Sequence, residues 1–329
     1  MKIEDPATDK IREYEATVEL AVRAREPLGR QTIQKIEELI RDLDSHDDPV
    51  FQVNCLQLVA DLACSRQALS LLESKRVPEK LISLLDQGDP LIVPHALKFF
   101  YRIDPQDLKT KYRRVLDKIC DYCQSDSQQL LDYAVDIIAA IGRGGLNARR
   151  VLDSHPNFRT KCLSRLGSTI VSSDSLIKTR TLRCIVDLLE LHEDDPREES
   201  SKLSEDFYHA IIEGERKMTN QILALCRVPF MEIRISAMLV VAAIADQIWG
   251  QRELVEHPNF LKWILDRSTE ACKDGKEAKF EILKILVKSK TTTRFVKGED
   301  YMKLRADFKN GPFHVGIAEE MLLDDQQAS

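Results

Sequence analysis

The chain has 329 residues, 43% of them apolar and 31% charged, and a net charge of −6. Its basic residues are spread along the chain, so a clustered basic face for phosphate is not expected, and nucleic-acid binding is disfavoured. Only 12 glycines and 12 prolines, mostly between apolar runs, argue against an all-β chain.

The start, MKIEDPATDK, is polar and acidic rather than a signal peptide, and no apolar run approaches the roughly 20 residues of a membrane span. A soluble protein is expected, in the cytoplasm and also in the nucleus, with no membrane partner. Residues 4–26 read as one helix with Ile11, Ala16, Val18, Leu20, Ala21 and Val22 as its apolar positions. Pro27-Leu28-Gly29 breaks it. Ile33, Ile36, Leu39, Ile40 and Leu43 then form a helical stripe up to an acidic turn at 44–49. Asp48-Pro49 and Asp89-Pro90 each precede a strongly apolar helix, and Asp104-Pro105 marks another corner. The glycines of Gly142 to Gly145 are expected to cap the helix before them. Residues 192–206, HEDDPREESSKLSED, read as an acidic surface loop between repeats, open to a basic partner or to phosphorylation at its serines. The tail from Gly316 has little to bury and is expected to fray.

The repeating unit is clearest between Pro229 and Asp266. Ile235 to Ala245 is apolar at every position but Ser236, so this helix should be covered on all sides. A short connecting segment follows, then an amphipathic helix expected to begin at Pro258. The tetrapeptide HPNF occurs at 257–260 and at 155–158, inside two longer similar segments. Degenerate copies lie at 71–85 and 294–305. Six buried helices are expected, at 53–63, 95–103, 132–142, 181–191, 235–245 and 280–288. Their interior residues align as Cys55, Ala96, Ala134, Cys184, Ala237 and Ile282, which by subtraction are 41, 38, 50, 53 and 45 apart. Armadillo and HEAT repeats have a period of about 40–47. The expected fold is therefore all-α, a right-handed armadillo/HEAT-like α-solenoid, forming a single array over 1–315 with a tail at 316–329.

No motif for catalysis is present: GxSxG, HExxH and a phosphate-binding loop are all absent from the sequence. An enzyme is not expected, nor any cofactor. Of eight cysteines, most fall on apolar helical patterns, as reduced buried thiols do. Cys120-x-x-Cys123 has no second CxxC and no neighbouring histidine in the sequence, so it reads as packing rather than metal ligation. His155 and His257 stand before proline at the same repeat position, and a helix-starting role explains both.

Helical arrays bind proteins along the exposed edge of their inner helices. In armadillo arrays that edge lies two and six residues after the central small residue. Here those offsets give Gln57 and Asp61, Lys98 and Arg102, Asp136 and Ala140, Val186 and Glu190, Leu239 and Ala243, and Lys284 and Lys288. The candidates run from polar and mixed, through apolar near Leu239, to basic at Lys284 and Lys288. Arrays that carry nuclear cargo show Trp and Asn at these offsets. Neither occurs at any of them here.

Several segments resemble the proteasome non-ATPase regulatory subunit 5 family. They are Trp249, Asp266-Arg267-Ser268, Lys276 to Phe280, Ser289-Lys290-Thr291, Tyr301, Leu304-Arg305 and Gly311-Pro312-Phe313. Upstream, Val77 to Leu85, Lys98-Phe99-Phe100 and Ile177 to Leu191 fit as well. The likeness runs from about residue 33 to about 315. Family members carry more N-terminal repeats, so a shortened, divergent or partial member is expected. The resemblance implies an assembly chaperone of the proteasome regulatory-particle base. Such a protein would bind the C-terminal domain of one ATPase-ring subunit in base precursor complexes and leave before the mature particle forms. It would be monomeric when unbound. The alternative is a generic armadillo-type scaffold for another complex.

Overall fold

A computed structural model of the chain describes residues 6–44, 48–171, 175–212 and 218–314, and every regular element among them is helical. The chain divides into two compact units, Met1–Cys162 and Leu163–Ser329. The tail from Gly316 lies outside the described residues, as does His46.

The first unit holds α1 (Pro6–Arg23), α2 (Arg30–Asp42), α3 (Pro49–Leu62), α4 (Arg66–Ser74), α5 (Val77–Gln87), α6 (Val93–Phe100), α7 (Pro105–Thr110), α8 (Arg113–Cys123), α9 (Gln128–Gly142) and α10 (Gly145–Asp153). Two of its Asp-Pro pairs, Asp48-Pro49 and Asp104-Pro105, act as helix starts. The Asp48 carboxylate accepts the Phe51 N–H at 3.0 Å, and Asp104 accepts that of Gln106 at 2.8 Å. In each case proline fills the first turn, where no N–H is needed. Asp89 accepts the Leu91 N–H at 2.8 Å in the turn leading to α6. In α1 the enclosed stripe is Tyr14, Val18 and Ala21, the i, i+4, i+7 series, whereas Leu20 is left 68% exposed. The glycine run after α9 does not cap it. The cap residue is Arg143, and the one glycine there with positive φ, Gly145 at 78°, opens α10.

The second unit holds α11 (Ser164–Val171), α12 (Ser175–Leu189), α13 (Arg197–Ile211), α14 (Met218–Leu225), α15 (Met231–Ala245), α16 (Ile248–Glu256), α17 (Phe260–Leu265), α18 (Lys273–Lys288) and α19 (Gly298–Asn310). Helix α13 corrects the expected acidic loop. Ser200, Ser204, Phe207, Tyr208 and Ile211 are all buried along one of its faces, so only about the first five residues of 192–206 stay irregular. Two of the serines offered for phosphorylation are thus interior. Serine is small enough to sit at a helix contact, and Ser204 donates its hydroxyl to the Leu189 carbonyl at 2.9 Å.

The six expected inner helices are present as α3, α6 and α9 in the first unit and α12, α15 and α18 in the second. Within each unit they stack on one another, α3 on α6 and α6 on α9, then α12 on α15 and α15 on α18. All six aligned residues, Cys55, Ala96, Ala134, Cys184, Ala237 and Ile282, are completely enclosed. Alanine or cysteine at five of these contacts lets neighbouring axes approach within the ~8–10 Å of close-packed helices. The close fit continues at Gly250, where an added Cβ would lie 2.0 Å from the Ile244 carbonyl oxygen. Helix α15 is not covered on all sides as expected, because Leu239 remains 42% exposed.

The two HPNF copies form the same turn. The Phe158 N–H reaches the His155 carbonyl at 3.0 Å, and the Phe260 N–H reaches that of His257 at 3.0 Å. In each copy the histidine Nδ1 lies within reach of the asparagine N–H two residues on, at 3.3 Å from Asn157 and 3.2 Å from Asn259. Accepting there fixes the tautomer protonated at Nε2. In the first copy that Nε2 meets the Asp117 carboxylate at 2.8 Å, and Nδ1 also lies 3.3 Å from the Cys120 thiol. The prolines stand ahead of the following helical turns rather than within them: α17 starts at Phe260, and a π-helical turn, Phe158–Leu163, precedes α11.

Buried His155 therefore joins three groups, whereas half-buried His257 holds one turn. His155→Ala should cost about 2–3 kcal/mol and His257→Ala about 1 kcal/mol, since an unsatisfied buried partner costs more than an exposed one. Urea unfolding of the two variants checks the order. Ala237→Glu should be far more damaging. It places a carboxylate where no volume and no partner exist, at a cost of several kcal/mol, and should lower the melting temperature by roughly 10 °C or more. A circular-dichroism melt unchanged by this substitution would show that the α15 centre is not interior.

Candidate functional site

The twelve offset positions lie on the inner helices or just past their ends. Of the twelve, only Ala243 is buried. The others are exposed or half-buried along the inner helices. In the first unit, α3 and α6 bring four candidates together. Gln57 donates to Asp61 at 3.2 Å, one turn along α3. Arg102, just past the end of α6, donates to the same Asp61 carboxylate. Lys98 stands beside this pair. Burial first, then the Arg102 charge, holds its ammonium below the usual lysine value, while Asp61 acts the other way. Lys98 also shares a cleft of about 170 Å³ with Asp136 of α9, walled by Tyr101 and Tyr133. Five sequence candidates thus line one stretch of α3, α6 and α9.

In the second unit, Glu190 at the end of α12 and Leu239 on α15 are exposed. Lys284 pairs with Glu281 at 2.8 Å within α18. Lys284 and Lys288 also line a cleft of about 1030 Å³ built by α13, α16 and the end of α18. The sequence reading missed this cleft because it took much of α13 for a loop. The available signal was the helical spacing of Ser200, Ser204, Phe207, Tyr208 and Ile211, obscured by the charged residues between them.

Buried Gln247 lines the cleft, and Gln251 is enclosed behind it. Gln247 donates to the carbonyls of Leu189 and Ala243 at 2.8 and 3.1 Å, and its side-chain oxygen accepts the Trp249 indole N–H at 2.9 Å. Gln251 donates to the Ala245 carbonyl and the Ser289 hydroxyl, both at 2.9 Å, and accepts from Thr291 at 2.7 Å. Trp249 is seated 5.0 Å from the Tyr208 ring, which backs this wall.

In space Cys120 does have a histidine neighbour, His155, and a further thiol, Cys162, at 3.5 Å. That corrects the expectation that CxxC stands apart from histidine. Sequence spacing could not show it, because α8 meets the turn after α10 only in the folded unit. Among the described residues, however, no group of three His, Cys, Asp or Glu side chains could hold a metal ion. No helix among them is long and apolar enough to cross a membrane.

A family model described as proteasome non-ATPase 26S subunit matches residues 3–323. The chain belongs to that family. The chain is 25% identical over 316 residues to the 26S proteasome non-ATPase regulatory subunit 5 of Homo sapiens, and 26% identical over 323 residues to that of Bos taurus. Each match covers 93% of this chain and 62% of the relative, so the chain spans less than two thirds of the relatives' length. Among solved structures, a designed armadillo repeat protein in complex with the peptide (KR)4 superposes with a TM-score of 0.55 at 14% identity. It covers 76% of this chain and 98% of its own. An engineered protein covers 94% of this chain and 76% of its own, with a TM-score of 0.53 at 15% identity. The fold is an all-α armadillo-type solenoid.

In this family member, the C-terminal residues that carry the resemblance are largely structural. Arg267 donates to the carbonyls of Asp307, Gly311 and His314 at 2.9, 3.0 and 3.0 Å, clasping the end of α19. Phe280 stacks on Phe308, 5.6 Å between centroids. Lys279, only 6% exposed, donates to the Asp266 carbonyl and to Thr269 and lies 5.1 Å over the Trp263 ring. Nearby Glu270 is buried 3.3 Å from the Arg234 guanidinium, and burial raises its carboxyl above the usual glutamate value.

Burial also pushes the Lys279 ammonium down to about 8 from 10.5, although Asp266 and Glu270 oppose the shift. Between those values the unfolded chain holds a proton that the folded chain has released, so this group's contribution to stability rises with pH from about 8 to about 10.5. The rise should be on the order of 3 kcal/mol at most, at ~1.4 kcal/mol per pH unit. Buried Tyr112, raised from 10.0, acts in the opposite sense near the top of this range. The test is therefore the difference between wild type and Lys279→Met. Urea unfolding of both at pH 7.5, 9 and 10 should show the wild-type curve gaining stability relative to the variant. Parallel curves would refute the assignment.

Proposed function

We propose that this chain is an assembly chaperone for the base of the proteasome regulatory particle. In this reading it binds the C-terminal domain of one ATPase-ring subunit in base precursors and leaves before the mature proteasome forms. Membership of the proteasome non-ATPase 26S subunit family carries the proposal. The exposed offsets of the inner helices support a binding role, and they are the surface that stacked helical repeats offer to partners. A designed armadillo neighbour is described in complex with a peptide, which fits the same use of the fold. The mechanism is steric: occupying the ATPase C-terminal domain keeps its tail from docking on the core particle too early. No catalytic step is required.

On the first unit, Lys98 is the clean probe, because Arg102 is already committed to Asp61 and its reversal would also disturb the fold. On the second unit, half-exposed Leu239 is the apolar anchor. Lys98→Glu should weaken capture of the ATPase domain mainly through association rate and salt dependence. Leu239→Asp should cost ~2 kcal/mol or more of binding, as a central anchor does. Pulldown against each isolated ATPase C-terminal domain, beside a melt of each variant, decides the matter. If no ATPase domain is captured, or if folded variants of both positions bind like wild type, the chaperone reading fails. A different stable partner without ATPase subunits would mark a general scaffold instead.

A further inference from the structure

The large cleft of the second unit has a charge pattern that no role given above uses. Its acids are mostly spent on neighbours within the unit. Asp246 pairs with Arg197 at 2.8 Å, Glu205 with Arg252 at 3.6 Å, and Glu281 with Lys284 at 2.8 Å. What remains is Lys202, Lys288 and Lys290 against Glu198. All three lysines are exposed and none forms an ion pair among the described residues. The N-terminus of α16 also lines the cleft. It has no acidic residue in its first turn and no side-chain cap, because the Gln247 side chain is engaged inward. Its positive end adds to the lysines.

Between these charges lies apolar surface. Ile248, the first residue of α16, is 51% exposed in the cleft, and Leu191, Ile285 and Phe295 are half-buried around it. A basic rim over an apolar floor selects a segment with carboxylates at its edges and a bulky apolar side chain between them.

We propose that this cleft binds an acidic, apolar-bearing peptide segment of a partner protein. The inference rests on reading the chain as a protein-binding solenoid, and it does not require that the partner be an ATPase. Lys288 and Lys290 at the end of α18, with Lys202 on α13, receive the carboxylates. Ile248 and Phe295 receive the apolar side chain. Lys284, already held by Glu281, orients rather than binds.

Fluorescence anisotropy of the full chain tests this with three labelled synthetic peptides. The first has leucines between glutamates, the second replaces every glutamate by lysine, and the third replaces every leucine by serine. The first should bind with an affinity that falls as salt rises, the second should not bind, and the third should bind about 10-fold more weakly or worse. Lys288→Glu with Lys290→Glu should weaken the first peptide about 10-fold and flatten its salt dependence. Should that variant fail to fold, Ile248→Ser replaces it and should bring the first peptide down to the level of the third. Binding of the lysine peptide as tight as that of the glutamate peptide would overturn the proposal. So would unchanged affinity in a folded variant. Capture of an ATPase domain without binding of the acidic peptide overturns this inference and leaves the chaperone reading standing; the reverse pattern does the opposite.

Discussion

The close approach of inner helices at one enclosed residue per layer is the constraint on which the rest depends. Cys55, Ala96 and Ala134 in one unit, and Cys184, Ala237 and Ile282 in the other, have no accessible surface at all. Once that residue is fixed against the neighbouring layer, helical geometry places the positions two and six residues later away from the contact. That is why charged and polar side chains such as Gln57, Lys98, Asp136 and Lys284 can vary on those helices without disturbing the packing. Ala243 departs from the pattern, being buried near the end of α15 close to where α16 turns back across it.

Layered helices leave a second problem, the carbonyls at each helix end that have no intrahelical partner. The chain meets it repeatedly with a buried polar side chain from a following element. Gln52 donates to the Leu43 carbonyl after α2 at 2.8 Å, and Arg149 to the Gly142 carbonyl at the end of α9 at 3.0 Å. Gln247 and Gln251 do the same for the ends of α12 and α15. These are long polar residues in the interior, and their cost is offset because each reaches a group that would otherwise be buried unsatisfied. Gln247 also lines the second unit's cleft, as do the Ser289 and Thr291 side chains that Gln251 holds from behind. Closing the core and shaping a surface are here one set of hydrogen bonds.

The family-like C-terminal block belongs mainly to this structural layer. Arg267, Lys279 and Phe280 hold α19 and the segments flanking α18, and Gly275 sits where an added Cβ would lie 2.3 Å from the Glu270 carboxylate. Such residues mark how the last layers close, and so they identify the fold more directly than they identify a partner. The side chains that the core leaves free lie elsewhere, among them the lysines of the cleft and the half-exposed Leu239.

The sequence by itself determined the inner helices, their register and their central residues, because burial on a helix leaves a local apolar period that needs no distant information. It also determined the Asp48-Pro49 and Asp104-Pro105 helix starts, the recurrence of HPNF and the family. Only the tertiary structure decided which polar residues are interior. Ser200 and Ser204 look like loop residues until α13 packs and Gln247 reaches Ser204 at 3.0 Å. His155 looks isolated until α8 brings Cys120 and Asp117 to it. The Asp61–Arg102 pair and the basic cleft likewise join residues about 40 or more positions apart. A hydrogen bond or ion pair leaves no periodic trace in sequence. Its existence depends on distance and dielectric, and both are set only when the layers stack.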